Sequence, residues 1–125
     1  MPDKKNTILI VDDEVELLEI YKDLLEAEGF EVQTAISAEV AICIYQQDSS
    51  IKLIISDSKM SGMSGLELFK KIKPQGHQLF PIFYLATGDN TQDEAMVKSL
   101  GVTRLVLKPF DVDEIIELIK KDLEF

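Results

Sequence analysis

At 125 residues and 46% apolar, the chain is the length of one domain and able to bury a core rather than remain disordered. Its net charge of −10 argues against nucleic acid as a direct partner, because gripping phosphates takes clustered Lys and Arg. One cysteine, Cys43, and one histidine, His77, exclude a disulfide framework and a Cys/His zinc site, and no apolar run approaches the ~18 residues that span a bilayer.

Taken in order, Met1 to Asn6 precede only four apolar residues, too few for a signal peptide, so the chain reads as a soluble cytosolic protein. Ile8 to Val11 is an unbroken apolar run of strand length that ends in Asp12-Asp13-Glu14. From Glu14 to Glu28 the period becomes helical: Val15, Leu18 and Tyr21 recur at that spacing, as do Leu17, Leu24 and Leu25, and Gly29 closes the helix. Phe30 to Thr34 reads as a second strand. Ser37 caps a helix with Ala38, Ala41, Ile42 and Tyr45 on one face, and Cys43, within this apolar pattern, reads as a small core residue in a reducing compartment.

Leu53 to Ser56 is the third strand; it stops at Asp57 and runs into a loop of small residues with two glycines. A helix from about Leu66 to Ile72 stops before Pro74, and Pro74 to Gln78 is a loop in which His77 reads as solvated. Ile82 to Ala86 is the fourth strand, ending at Thr87-Gly88. Thr91-Gln92-Asp93-Glu94 is a capping-box pattern for a helix that ends at Gly101. Leu105 to Leu107 is the fifth strand, before Lys108-Pro109. Asp111 to Glu114 open a last helix whose buried stripe is Val112, Ile115, Ile116, Ile119 and Leu123. Five short apolar strands alternating with five amphipathic helices predict an α/β fold, a parallel sheet covered on both faces.

In such a sheet all strands end along one edge, where ligands bind. That edge receives Asp12 and Asp13, Asp57, Thr87 and Lys108. Each has an ordinary reading: Asp57 opening a turn, Asp13 or Glu14 capping a helix, Thr87 in a turn, Lys108 in solvent. Together they converge as three carboxylates, an ammonium and a hydroxyl. Clustered carboxylates raise one another's pKa unless positive charge sits among them, and their oxygens suit a hard divalent cation, Mg²⁺ above all. A carboxylate flanked by a metal and a lysine is equipped to accept a phosphoryl group.

The set resembles the receiver domains of two-component response regulators, over essentially the whole chain, 1–125. It rests on Asp12-Asp13, Asp57, Thr87 and Lys108-Pro109, and on the run Asp57-x-x-Met60-x-Gly62-Met63-x-Gly65-Leu66-Glu67-Leu68. The resemblance implies a flavodoxin-like (βα)5 fold with strand order 2-1-3-4-5. It implies Asp57 as phosphoacceptor, Thr87 and Lys108 as its helpers, and Mg²⁺ held by Asp13 and Asp57 directly, by Asp12 through water and by the Lys59 carbonyl. It also implies a cis peptide before Pro109, a histidine kinase or phosphotransfer protein as donor, and a downstream protein target.

Departures from the family pattern are Ser61 where proline is usual, Ser64 where Asp is usual, Gly88 where Ala is commoner, and Leu105 at the position of the switch aromatic. These lead us to expect a looser loop after Asp57, a wider mouth, and a weaker response around the fifth strand. Two readings stand for Lys59: it points into solvent, or it pairs with Asp89 across the mouth as a gate to water. The competing readings are a receiver-like interaction module that never cycles phosphate, and an aspartate-nucleophile phosphatase. The latter is disfavoured because Lys59 stands where that class places a second Asp and because the chain has no room for a cap domain. No output domain follows within the sequence, so the chain is read as acting through its own surface unless it was cut from something longer.

Overall fold

Runs of Val, Ile and Leu become central strands only when both faces of the sheet are covered. In the computed structural model, which describes residues 6–48, 50–73, 81–88, 94–108 and 110–123, five segments pair into one sheet with such runs at its centre. They form β1 (Thr7–Val11), β2 (Glu31–Ala35), β3 (Ile51–Asp57), β4 (Ile82–Thr87) and β5 (Arg104–Leu107). All pair in parallel, in the order β2-β1-β3-β4-β5. The helices between them are α1 (Val15–Ala27), α2 (Ala38–Gln47), α3 (Gly65–Ile72), α4 (Glu94–Ser99) and α5 (Val112–Leu123). The residues Thr91 to Asp93 of the expected capping box, like His77, lie outside the described residues.

Alternation along each strand sorts the core into two layers. Leu9, Val11, Phe83 and Leu85 point to one face and pack with Leu68, Phe69 and Val97 of α3 and α4. Ile8, Ile10 and Tyr84 point to the other and meet Leu18 and Leu25 of α1 and Ile115, Ile116 and Ile119 of α5. In β3 the alternation slips: Ile51 and Ile54 share a layer, because the register against β1 shifts between Thr7 and Ile8, where Lys52 is skipped. That extra residue is a bulge.

Cys43 is corrected by the fold: it is exposed. The buried side of α2 is set by Ala38 and Ala41, with Ile42 and Tyr45 half-buried, and two residues beyond Ala41 a helix has turned its side chain outward. On α1 the apolar pattern is wider than the face it buries. Leu18 and Leu25 are enclosed, Tyr21 and Leu17 are half-buried, and Val15 and Leu24 are 54% and 42% exposed. No helix among the described residues is long and apolar enough to cross a membrane.

Candidate functional site

Asp12 follows β1 directly, and its position is set by main-chain bonds on both sides. Its N–H donates to the Ala35 carbonyl at 3.1 Å, extending the β1–β2 ladder, and its Oδ1 accepts from the Glu14 N–H at 2.9 Å. Asp12 therefore opens α1, whereas Glu14 at the cap position makes no side-chain cap bond. The side chain is almost fully enclosed, while Asp13 beside it is exposed.

Asp57 is the last residue of β3. The ladder continues past it through the Ser58 N–H, which donates to the Ala86 carbonyl at 2.7 Å. The backbone N–H groups of Lys59 and Ser58 favour the charged form of the Asp57 carboxylate. Carboxylate oxygens of Asp12, Asp13 and Asp57 lie within 4.8 Å of one another.

Lys108 reaches this cluster from β5. Its N–H donates to the Thr87 carbonyl at 2.7 Å, and its Nζ stands 3.1 Å from Asp12 Oδ2 and 3.6 Å from Asp57 Oδ2. Only 18% of its side chain is exposed, which rules out the reading of a solvated lysine beside a turn. Thr87, at the end of β4, is fully buried.

Burial pushes the Asp57 carboxyl above its ordinary range. Lys108 pulls it down, Asp12 pushes it up again, and the two loop N–H groups lower it without reversing the balance. Burial pulls Lys108 down, but its hydrogen bond to Asp12 and the charges of Asp12 and Asp57 more than offset this, and its pKa is raised. One firmly held ammonium thus faces three carboxylates. Among the described residues the donor set is oxygen alone, clustered tightly enough to share one small ion, with three acids to one ammonium: it fits Mg²⁺.

The loop from Asp57 to α3 is tied by bonds where it meets the helix. Ser64 and Glu67 form a reciprocal capping box: Ser64 Oγ accepts from the Glu67 N–H at 3.1 Å and Glu67 Oε1 from the Ser64 N–H at 3.0 Å. The Gly65 N–H donates back to the Ser58 carbonyl at 3.1 Å. Gly65 itself lies so close to the strand end that a Cβ there would be 2.3 Å from the Asp57 carbonyl oxygen and 2.8 Å from Leu85 Cδ1. No larger residue leaves α3 where it starts.

Lys59 has an exposed side chain at the mouth; Asp89, its expected partner, lies outside the described residues, as does Pro109 with its expected cis bond. Gly88 is exposed, with open space where a side chain would stand. Leu105 is half-buried against the α2–α4 side of the core. Two features near the site had no forecast. Tyr21 of α1 stacks on Phe110, just beyond Lys108. Arg104, Asp122 and Tyr84 form a bonded triad joining β4, β5 and α5. The Ser64–Glu67 capping box also went unread, though Ser64-x-x-Glu67 carries its pattern; the other two join residues far apart in the chain.

Comparison with known proteins points the same way. The CpxR transcriptional regulatory protein of Escherichia coli K12 is 35% identical over 115 residues, 92% of this chain and 48% of that protein. The CpxR homolog of Haemophilus influenzae is 34% identical over 113 residues, 90% of this chain and 48% of that protein. The chain spans about half the length of these curated relatives. Among solved structures, the chemotaxis protein CheY4 of Vibrio cholerae superposes with a TM-score of 0.85 at 26% identity, covering 96% of this chain and 100% of that one. The response regulator TrrA of Thermotoga maritima, solved in complex with Mg(2+)-BeF, gives a TM-score of 0.78 at 32% identity, covering 94% and 99%. The family description "Response regulator receiver domain" matches residues 8–120. With this sheet order and this edge in place, the chain belongs to the response regulator receiver domain family.

Proposed function

We propose that residues 1–125 act as one phosphorelay switch, taking a phosphoryl group on Asp57 from a histidine kinase or phosphotransfer protein and thereby changing affinity for a downstream protein. The observation that carries this reading is the Lys108 ammonium poised between Asp12 and Asp57 at 3.1 and 3.6 Å in a crevice of three carboxylates. The chemistry is signalling rather than metabolic turnover, and neither nucleic acid nor membrane is a direct partner in this reading.

The Asp57 carboxylate oxygen attacks phosphorus, and the bond from phosphorus to the donor breaks with its electron pair leaving on the donor nitrogen. Lys108, already cationic and within reach of Asp57, moves onto an oxygen of the transferred group, and the buried Thr87 hydroxyl donates to another. Asp12, Asp13, Asp57 and the Lys59 carbonyl are the residues that would hold Mg²⁺. Bound there, Mg²⁺ supplies the positive charge that lets a phosphoryl dianion approach three acids.

The test is intact-mass measurement after incubation with phosphoramidate, with Mg²⁺ or with EDTA. One added phosphoryl group is expected in wild type with Mg²⁺, and none in EDTA or in Asp57→Asn. A group that appears equally in EDTA, or survives Asp57→Asn, contradicts the proposal. A chain that takes no phosphate under any condition is instead an interaction module that keeps the fold.

A further inference from the structure

Lys108 is held from one side by its main-chain bond to Thr87. Nothing in that bond determines where the chain goes next, and a lysine has four rotatable bonds with which to leave the crevice. Two residues further on, the Phe110 ring stacks on Tyr21, with centroids 5.1 Å apart and planes 25° from parallel. Both rings are half-buried and pack against the layer beneath α1 and α5. The two rings line a small cavity of about 10 Å³ together with Leu25 and Ile115. Beyond Phe110, Asp111 starts α5: its Oδ1 accepts from the Asp113 N–H at 2.9 Å and its carbonyl from the Ile115 N–H at 3.1 Å. The Tyr21 phenol also lies within the electrostatic reach of Lys108, Asp12, Glu14 and Asp57.

We propose that Tyr21 is a positioning residue for phosphoryl transfer: its ring, stacked on Phe110, fixes the chain at the head of α5 so that Lys108 Nζ stays between Asp12 and Asp57. The inference rests on the phosphorelay reading above, and it gives α1 a second task. Asp12, two residues before the cap of α1, supplies charge to the crevice, and Tyr21, on α1, sets where the answering charge stands. Offset stacked rings at this separation attract beyond their buried area, and the contact needs the ring rather than the hydroxyl.

Three measurements test this on Tyr21→Leu, which keeps apolar bulk, and on Tyr21→Phe, which keeps the ring. They are the rate of phosphorylation by phosphoramidate at saturating Mg²⁺, the Mg²⁺ Kd, and the Lys108 ¹⁵Nζ resonance without Mg²⁺. We expect Tyr21→Leu to slow phosphorylation about tenfold, the scale of a small misplacement of a reacting group. Its Mg²⁺ Kd stays within twofold of wild type while the Lys108 resonance shifts or broadens; Tyr21→Phe matches wild type in all three. Phe110→Leu removes the other ring, reproduces the loss, and adds little on top of Tyr21→Leu. A Tyr21→Leu rate equal to wild type, a parallel loss of Mg²⁺ affinity, or a Tyr21→Phe as slow as Tyr21→Leu overturns the inference. If wild type takes no phosphate, it is the phosphorelay reading that fails. The Lys108 resonance still decides the role of Tyr21: a shift in Tyr21→Leu supports it, and an unchanged resonance overturns it.

Discussion

Two clusters of charge sit on this one sheet, and they resolve burial in opposite ways. Between β5 and α5, Arg104 meets Asp122 as a fork: Nε to Oδ2 and Nη2 to Oδ1, each at 2.8 Å. The Tyr84 hydroxyl, from β4, donates to the same carboxylate. One cation answers one anion, and the Arg104 bonds, with the Tyr84 hydroxyl behind them, hold the Asp122 carboxyl below its usual range against the pull of burial. At the strand ends, Lys108 answers three carboxylates, and Asp57 is pushed up. Both aspartates are largely enclosed, each with 13% of its side chain exposed. Burial leads at Asp57, and the bond to Arg104 leads at Asp122. Asp122 belongs to a closed set that fastens α5 to the sheet; the crevice around Asp57 is left short of positive charge, which is a cost to the fold and an opening for a ligand.

The largest expected effect breaks the closed set. Asp122→Ala strands the Arg104 guanidinium and the Tyr84 hydroxyl, and we expect a loss of about 3 kcal/mol, the low end for breaking a buried pair because Arg104 is 29% exposed. Chemical denaturation at neutral pH reads this directly. Because the Asp122 carboxyl is lowered in the native state, its contribution is whole above the unfolded carboxylate range and fades as pH falls through the native value. The gap between wild type and Asp122→Ala should therefore narrow only in acid. A loss below about 0.5 kcal/mol, the ordinary range for a surface substitution, would remove the contrast between the clusters.

A smaller effect of opposite sign is expected in the crevice. The native Asp57 carboxyl is raised, so its stability contribution is whole below the unfolded carboxylate range and is lost as pH rises through the native value. Without divalent cation, Asp57→Asn should therefore be more stable than wild type at neutral pH, by about 1 kcal/mol or a Tm rise of roughly 4 °C. The advantage should vanish in acid. An Asp57→Asn that is less stable than wild type at neutral pH in EDTA would mean that Lys108 alone compensates the site.

How much of this was legible in the sequence follows from how local each feature is. Most strands were legible as apolar runs, and β2 by the alternation of Val32 with polar neighbours, yet β3 was read as starting at Leu53 and stopping at Ser56, since Lys52 and Asp57 are polar; it runs from Ile51 to Asp57. The acidic edge was legible because strand ends converge in any parallel sheet, and Asp12, Asp13, Asp57, Thr87 and Lys108 each follow or close a strand. Cys43 misled because an apolar run on a short helix does not say which side is buried. The Arg104–Asp122 fork and the Tyr84 bond join residues 18 and 38 positions apart, and no local pattern announces them. Tyr21 and Phe110 look like ordinary apolar positions until α1 and α5 lie side by side.

The account's central claim is that the crevice is under-compensated so that a cation can complete it. The most direct measurement is the thermal stability of wild type and Asp57→Asn, each with EDTA and with Mg²⁺ at about a hundred times the wild-type Kd, at neutral pH. Binding to the native state alone should raise wild type by about 2.7 kcal/mol at that concentration, whereas Asp57→Asn, lacking one of the carboxylates, should gain much less. The order of the two proteins should then reverse: Asp57→Asn the more stable in EDTA, wild type the more stable in Mg²⁺. The same order in both conditions would contradict the claim.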